Sequence, residues 1–440
     1  APRWGAPSLR GRWEQGWPVL PREYWPQGLP LAWERQCRRQ RTRRPRLPAR
    51  SRFLWWVYEA EQPLLLKYAP RSEGCHTEPV DFSLSEQEQA VADLSRQILG
   101  DLSTPERHKH LEAEGATHDE DVWGELSDAG LVGVSLPEEC GGGGLGFLAT
   151  CLVLEEIGRT TARVPFLAPV AAMAVAEFDA EEDLLDEMAQ GSALASPALV
   201  EPGRDPGEPA ATASAAGDGW TVSGTKEMVP FADQADCFLV PARTDHGVGL
   251  FLVHNAAPSV EVVLQETTSG LVEGKVVLVD APADRLGTGA EAVEWLVQRC
   301  TAALSAVAVG VVSEALRITA AYTSEREQFG RPIATFQAVG QRVGDAYIDT
   351  EAIRLTALQA CWRLDQGLEA ANEVAVAKYW AADGGQRVAN AAQHLHGGMG
   401  VDRDYPLWRY YVWAKHLELS LGGATAQLLR IGDALAAGTA

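Results

Sequence analysis

The sequence predicts an α+β protein of three consecutive domains: an N-terminal helical domain, a small antiparallel β-barrel middle domain and a C-terminal four-helix bundle. Three observations predict it. Apolar residues recur at helical spacing from Ser83 to about Gly158, the period falls to two from Ser196 to Gly287, and long amphipathic stretches return from Ala290 to Ala436. With 440 residues, 46% hydrophobic and 22% charged, the chain can bury a core in two or three domains and does not have the composition of a disordered polymer. The expected boundaries are 1–79 for a basic extension, 80–195, 196–287 and 288–440.

The extension differs from everything after it. Residues 1–79 hold 15 Lys+Arg against 7 Asp+Glu, a net of +8, while the remainder holds 23 against 53, a net of −30. Seven of the fourteen tryptophans lie in it, with recurrent prolines and no sustained period. Three readings stay open. Arg38, Arg39, Arg41, Arg43, Arg44, Arg46, Arg50 and Arg52 with interleaved tryptophans suit nucleic acid, and an arginine-rich, acid-poor start suits a targeting peptide. The leading expectation is translated upstream sequence. Arg, Pro, Trp, Gly and Ala have GC-rich codons, and Val80 is what a GTG start would become inside a longer frame.

A body this acidic repels phosphate, so no nucleic-acid partner is expected. No unbroken run of 18 apolar residues occurs, and the nearest stretch, Val164 to Phe178, is interrupted by Pro165, Pro169 and Glu177, so no membrane partner is expected. Seven scattered cysteines without CxxC spacing read as a reducing, cytoplasmic compartment with neither disulfide framework nor metal site.

Element by element, Ser85-Glu86-Gln87-Glu88 is a capping box opening a helix through Leu94, Ile98 and Leu99. A break falls at Gly130 to Gly146, and helical signal returns through Leu152, Leu154 and Ile157. Trp220–Gly224, Cys237–Val240, Val248–Val253 and Lys275–Val279 read as short strands between Gly, Asp and Pro turns. The remainder reads as a bundle.

Four segments carry a resemblance: Leu131-Val132-Gly133-Val134 through Pro137-Glu138-Glu139; Glu155-Glu156-Ile157-Gly158-Arg159; Arg326-Glu327-Gln328-Phe329-Gly330-Arg331-Pro332-Ile333 with Phe336-Gln337; and Gln393-His394-Leu395-His396-Gly397-Gly398-Met399-Gly400. The chain resembles the acyl-CoA dehydrogenases over residues 81–436. The resemblance implies FAD as cofactor and an acyl-CoA thioester as substrate. A carboxylate then takes the α-proton, the flavin accepts the β-hydride, and the polarised thioester carbonyl carries developing charge.

For the ADP half of the flavin, which a neighbouring chain completes in this family, the resemblance implies Arg326 on the pyrophosphate and Phe329 beside the adenosine. Gln337 and Gln393 serve as hydrogen-bonding groups there, and Gly397 and Gly398 are the points of close backbone approach. The ring half departs from the family. Its Thr-Glu-Pro-Gly appears as Val200-Glu201-Pro202-Gly203, and its Lys-x-Trp-Ile-Thr as Lys226-Glu227-Met228-Val229-Pro230. Val200, Met228 and Pro230 thus replace three expected contacts.

The base departs as well. The usual Glu before Gly-Thr is Leu421 in Leu419-Ser420-Leu421-Gly422-Gly423-Ala424, and the alternative position on the first long helix falls at Cys300 and Thr301. Glu418 is a weak substitute, more ordinary as a solvated or capping acid, and Asp402 and Asp404 read as structural.

What a chain gives its neighbour's flavin is therefore kept, and what it would use on its own is lost. This implies the partner subunit of a heteromeric dehydrogenase, similar to the α2β2 steroid side-chain enzymes of actinobacteria. Its expected partners are a second acyl-CoA dehydrogenase-like chain, an acyl-CoA for which a steroid-CoA is the candidate, and an electron-transferring flavoprotein. Two alternatives stand beside it: an autonomous homotetramer using Glu418, and a non-catalytic scaffold on the same fold.

Overall fold

Ser85 starts the first helix as its sequence predicts: Ser85 Oγ accepts from the Glu88 N–H at 3.2 Å, and the Glu88 carboxylate accepts from the Ser85 N–H at 2.6 Å. The structure is a computed structural model that describes residues 83–178, 182–217, 219–287 and 289–438. The expectations for the 1–79 extension and its Val80 junction lie outside the described residues.

Helix α1 (Glu86–Leu102) is followed by α2 (Pro105–Glu114), α3 (Glu120–Asp128), α4 (Phe147–Thr160), α5 (Ala168–Glu177) and α6 (Glu182–Ala189). Thr104 and Asp119 cap α2 and α3 through their side-chain oxygens. The Gly130–Gly146 break holds only one short 3-10 turn, Glu138–Cys140.

The middle domain comprises β1 (Ala195–Pro197), β2 (Thr212–Ala216), β3 (Gly219–Pro230), β4 (Cys237–Thr244), β5 (Gly247–His254), β6 (Val260–Glu266) and β7 (Val272–Leu286). Strand order is β1-β4-β2-β3-β7-β5. β5 also pairs along β4, so the sheet closes into a barrel, and β6 flanks β7. Phe238, Val240, Phe251, Val276 and Leu278 fill its interior.

The sequence reading gave four short antiparallel strands, and this is corrected in two respects. β3 and β7 run 12 and 15 residues, bending at register shifts between Val222 and Gly224 and between Lys226 and Val229. β4 pairs in parallel with β1 and touches β2 in parallel. β2 and β6 escaped notice because most of their residues are exposed, which weakens the alternation.

The C-terminal helices are α7 (Glu291–Glu325), α8 (Gln337–Asp365), α9 (Ala371–His396), α10 (Leu407–Leu419) and α11 (Ala424–Ala437), with a hairpin of β8 (Glu327–Gln328) and β9 (Arg331–Pro332) between α7 and α8. The first four form the bundle, and α11 leans on α9. By length and composition alone α7 is apolar enough to cross a membrane, with mean hydropathy 1.5 over a window that is 78% buried. The sequence reading passed over it for Val164–Phe178, because Thr, Ser and Gly interrupt its apolar run. Each Val or Leu that α7 buries contributes roughly 1.5–3 kcal/mol.

The helical domain meets the bundle where α4 crosses α7. A Cβ on Gly158 would lie 2.0 Å from the Val307 carbonyl oxygen, and one on Gly310 would lie 1.9 Å from that of Glu155, so only glycine permits the crossing. Beside it Glu156 is buried and binds Arg96 at 2.8 Å and Arg159 at 2.9 Å. The Glu155–Arg159 motif is thus the seam between two domains.

Candidate functional site

The ADP-half residues gather at one end of the bundle. Arg326 ends α7 with extended backbone, its N–H donating to the Tyr322 carbonyl at 2.8 Å. The hairpin that follows thrusts Phe329 outward, 92% exposed, at φ 54°. Its ring stands edge-on to Phe336 at 6.1 Å, and Arg331 covers the other aromatic at 4.3 Å. Phe336 caps α8, which makes the exposed Gln337 the first residue of that helix.

From the other side α9 ends at His396, whose ring stacks on Tyr322 with centroids 4.2 Å apart and planes 21° apart. That stack brings Gln393, Gly397 and Gly398 to the same end as Arg326. Gly397 has φ 59°, and a Cβ on Gly397 or Gly398 would meet nothing. An exposed guanidinium, an exposed aromatic and bare glycine backbone fit the diphosphate and adenosine of FAD.

In the ring half, the retained residues of the two altered motifs hold each other. Lys226 is fully buried, and its Nζ donates to Glu201 at 2.5 Å and to the Pro241 carbonyl at 2.8 Å. Glu201 also accepts from the Ala210 and Ala211 N–H groups. Burial alone would raise the Glu201 carboxyl, but the Lys226 ammonium and these two amides hold it below its usual range. The Glu227 N–H donates to the Val200 carbonyl at 2.9 Å, binding the motifs by backbone as well.

The replaced positions take part through backbone alone, the Met228 N–H donating to Gln265 Oε1 at 3.2 Å. Met228 is half exposed at φ 51°. Pro230 offers only a carbonyl, which accepts from Ser196 Oγ at 2.5 Å.

At the turn to which the resemblance assigns the family's base, buried side chains again hold the backbone. Leu421 keeps a left-handed φ of 51°, and Gln427, fully buried, donates to the Leu421 and Gly422 carbonyls at 3.3 and 3.1 Å. Lys378, buried on α9, donates to the Leu417 and Glu418 carbonyls at 2.7 and 3.1 Å, and burial pulls its ammonium down to about 7. Glu418 itself is bound to Lys415 at 2.6 Å. Cys300 and Thr301 are buried inside α7, so that position carries no accessible base either. Asp404 is paired with Lys109 at 3.1 Å, and its N–H is capped by Asp402 at 3.0 Å, both structural roles.

Sequence reasoning missed one cluster. Glu273 on β7 lies 3.6 Å from His416 Nε2 on α10, and His416 Nδ1 lies 3.3 Å from Ser269 Oγ. Burial pushes the Glu273 carboxyl up to about 7, whereas burial and then Lys378 pull His416 down to about 4. The available signal was positional. Glu273 pairs across the sheet with Pro230 and with Gln265, and directly opposed residues share a face, so an acid stands beside Pro230.

Family profiles match along the described chain. Those of the N-terminal, middle and C-terminal domains of acyl-CoA dehydrogenases cover residues 85–190, 198–276 and 287–436. Acyl-CoA dehydrogenase FadE27 of Mycobacterium tuberculosis is 40% identical over 376 residues, 81% of this chain and 99% of that protein. Among solved structures, the Tcur3481–Tcur3483 steroid acyl-CoA dehydrogenase aligns at 45% identity and TM-score 0.78, covering 80% of this chain and 98% of that one. The ChsE4–ChsE5 complex from M. tuberculosis aligns at 40% identity and TM-score 0.77, covering 81% and 99%. By profile, relative and structure together, the chain belongs to the acyl-CoA dehydrogenase family of FAD-dependent oxidoreductases.

Proposed function

We propose that this chain is the partner subunit of a heteromeric acyl-CoA dehydrogenase. It completes the ADP side of a flavin whose ring and catalytic carboxylate belong to a second, related chain. One observation carries the reading: the altered segments are held in place by buried side chains, while the positions that the resemblance assigns to the flavin ring and the base carry no hydroxyl or carboxylate. Glu201 with Lys226, and Gln427 with Lys378, hold the segments that carry Val200, Met228, Pro230 and Leu421. Nothing in the ring half offers a hydroxyl or a base where the family's chemistry places them, whereas the ADP half keeps its cation and its glycines.

In the complex Arg326 would bind the diphosphate by charge-assisted hydrogen bonds. Phe329 would cover the adenosine, and Gly397 and Gly398 would admit it to the backbone. The bound flavin supplies hydride acceptance, while this chain binds and orients. Similarity to a steroid acyl-CoA dehydrogenase at 45% identity supports a steroid-CoA or another bulky acyl-CoA as substrate of the assembled enzyme, and family membership suggests an electron-transferring flavoprotein as acceptor. The engagement of Glu418 by Lys415 speaks against that carboxylate as the base of an autonomous enzyme.

The test is flavin stoichiometry by absorbance, on the full chain alone and co-expressed with a homologous chain that retains the glutamate. The expected result is no flavin alone and one FAD for every two chains in the complex. One FAD per chain in the isolated protein overturns the proposal.

A further inference from the structure

We propose that Glu273 and His416 form a latch between barrel and bundle that keeps this chain's own flavin-ring cleft closed. The inference rests on the partner-subunit reading for what the cleft once held, and on the structure for what holds it now. Gln265, Glu273 and Pro230 stand in one row across β6, β7 and β3, on one face of the sheet. His416 meets that face from α10, one turn before Ser420.

The latch has three contacts. His416 Nε2 faces the Glu273 carboxylate at 3.6 Å, His416 Nδ1 faces Ser269 Oγ at 3.3 Å, and Arg163 of the helical domain donates to the Gly270 carbonyl at 2.7 Å. The loop is tightened from within, since Thr267 Oγ1 donates to the Leu271 carbonyl at 2.5 Å. All three domains therefore close on residues 267–273. Both polar side chains are largely buried, with 13% and 14% of their surfaces exposed. A carboxyl and an imidazole 3.6 Å apart at this depth leave no room between them for a planar ring system.

The experiment fixes the latch shut. In the complex, Glu273→Cys and His416→Cys are introduced together and joined with a short thiol-to-thiol cross-linker, with each single variant treated in parallel. The expected result is unchanged FAD content and turnover on acyl-CoA within twofold of the unlinked complex, because no ring enters this cleft during catalysis. Loss of half the FAD or a tenfold fall in turnover on linking overturns the latch.

A second measurement asks whether the contact exists. Melting shifts of Glu273→Gln and His416→Gln should be non-additive in the double variant, and strict additivity overturns the proposal too. The outcomes separate the two readings. One FAD per chain before linking defeats the partner-subunit proposal, whereas linking that expels flavin from a complex with one FAD for every two chains defeats the latch alone.

Discussion

Lys226 donates to Glu201 at 2.5 Å inside the barrel wall, and the segments that carry the two residues are joined again by the Glu227 N–H donating to the Val200 carbonyl. A buried ion pair is kept where the fold depends on it. Glu201 fixes the loop before β2 through two backbone amides, and Lys226 reaches across to the Pro241 carbonyl of β4.

The first prediction follows from that pair. Glu201→Gln leaves the Lys226 ammonium buried beside a neutral amide, and breaking a buried pair this way costs about 3–5 kcal/mol. Replacing both, as Glu201→Gln with Lys226→Met, should recover part of the loss. Urea unfolding of the three variants checks it, and a loss below about 1 kcal/mol for Glu201→Gln would place the pair among ordinary surface bridges.

A second prediction concerns the ADP end. Tyr322→Ala removes the ring that stacks on His396, and an aromatic pair contributes about 0.5–1.5 kcal/mol beyond its buried area. The functional consequence is positional: the glycine turn after His396 loses its support against α7. FAD retained by the complex after gel filtration should fall, whereas Tyr322→Phe should keep it. Arg326→Lys should weaken retention without changing the melting temperature of the chain alone, because the guanidinium is exposed and binds no side chain among the described residues.

Much of this was legible in the sequence, for reasons that particular residues show. The capping box at Ser85 and Glu88 and the change of period at Ser196 reflect local rules, and local rules are written in local sequence. The motif residues at Arg326 and Gly397 were legible only through resemblance. Their convergence depends on Tyr322 meeting His396, 74 positions apart in the numbering, which no spacing announces. Lys378 and Glu273 were passed over because a lone charge in a helix or strand reads as surface. Their burial is decided by α10 packing over them, a tertiary event.

Lys378 gives a pH prediction of definite sign. Burial lowers its ammonium from 10.5 to about 7. The folded state therefore holds fewer protons than the unfolded chain between those values, and stability rises with pH across that window. Below about 7 both states are protonated and the penalty is constant. Lys378→Met removes this contribution, so the unfolding free energy of wild type should rise relative to that of the variant as pH goes from 7 toward 10. A constant difference across that range would mean that Lys378 keeps an ordinary affinity for its proton.

The Glu273–His416 pair makes a subtler prediction, because its two shifts oppose each other. Glu273, raised from 4.5 to about 7 by burial, favours the folded state fully below 4.5, and that advantage is lost as pH climbs to 7. His416, lowered from 6.5 to about 4 by burial and Lys378, favours the folded state above 6.5, and that advantage is lost as pH falls to 4. Between 4.5 and 6.5 the folded pair and the unfolded pair each hold one proton, so the net slope vanishes. Each single variant should uncover the slope that its partner conceals. Glu273→Gln should lose stability as pH is lowered from 6.5 toward 4, and His416→Gln should lose it as pH is raised from 4.5 toward 7. Unfolding curves at four pH values for each variant decide the matter: slopes of opposite sign bear out the two opposed burial shifts, whereas slopes of the same sign would contradict one of them.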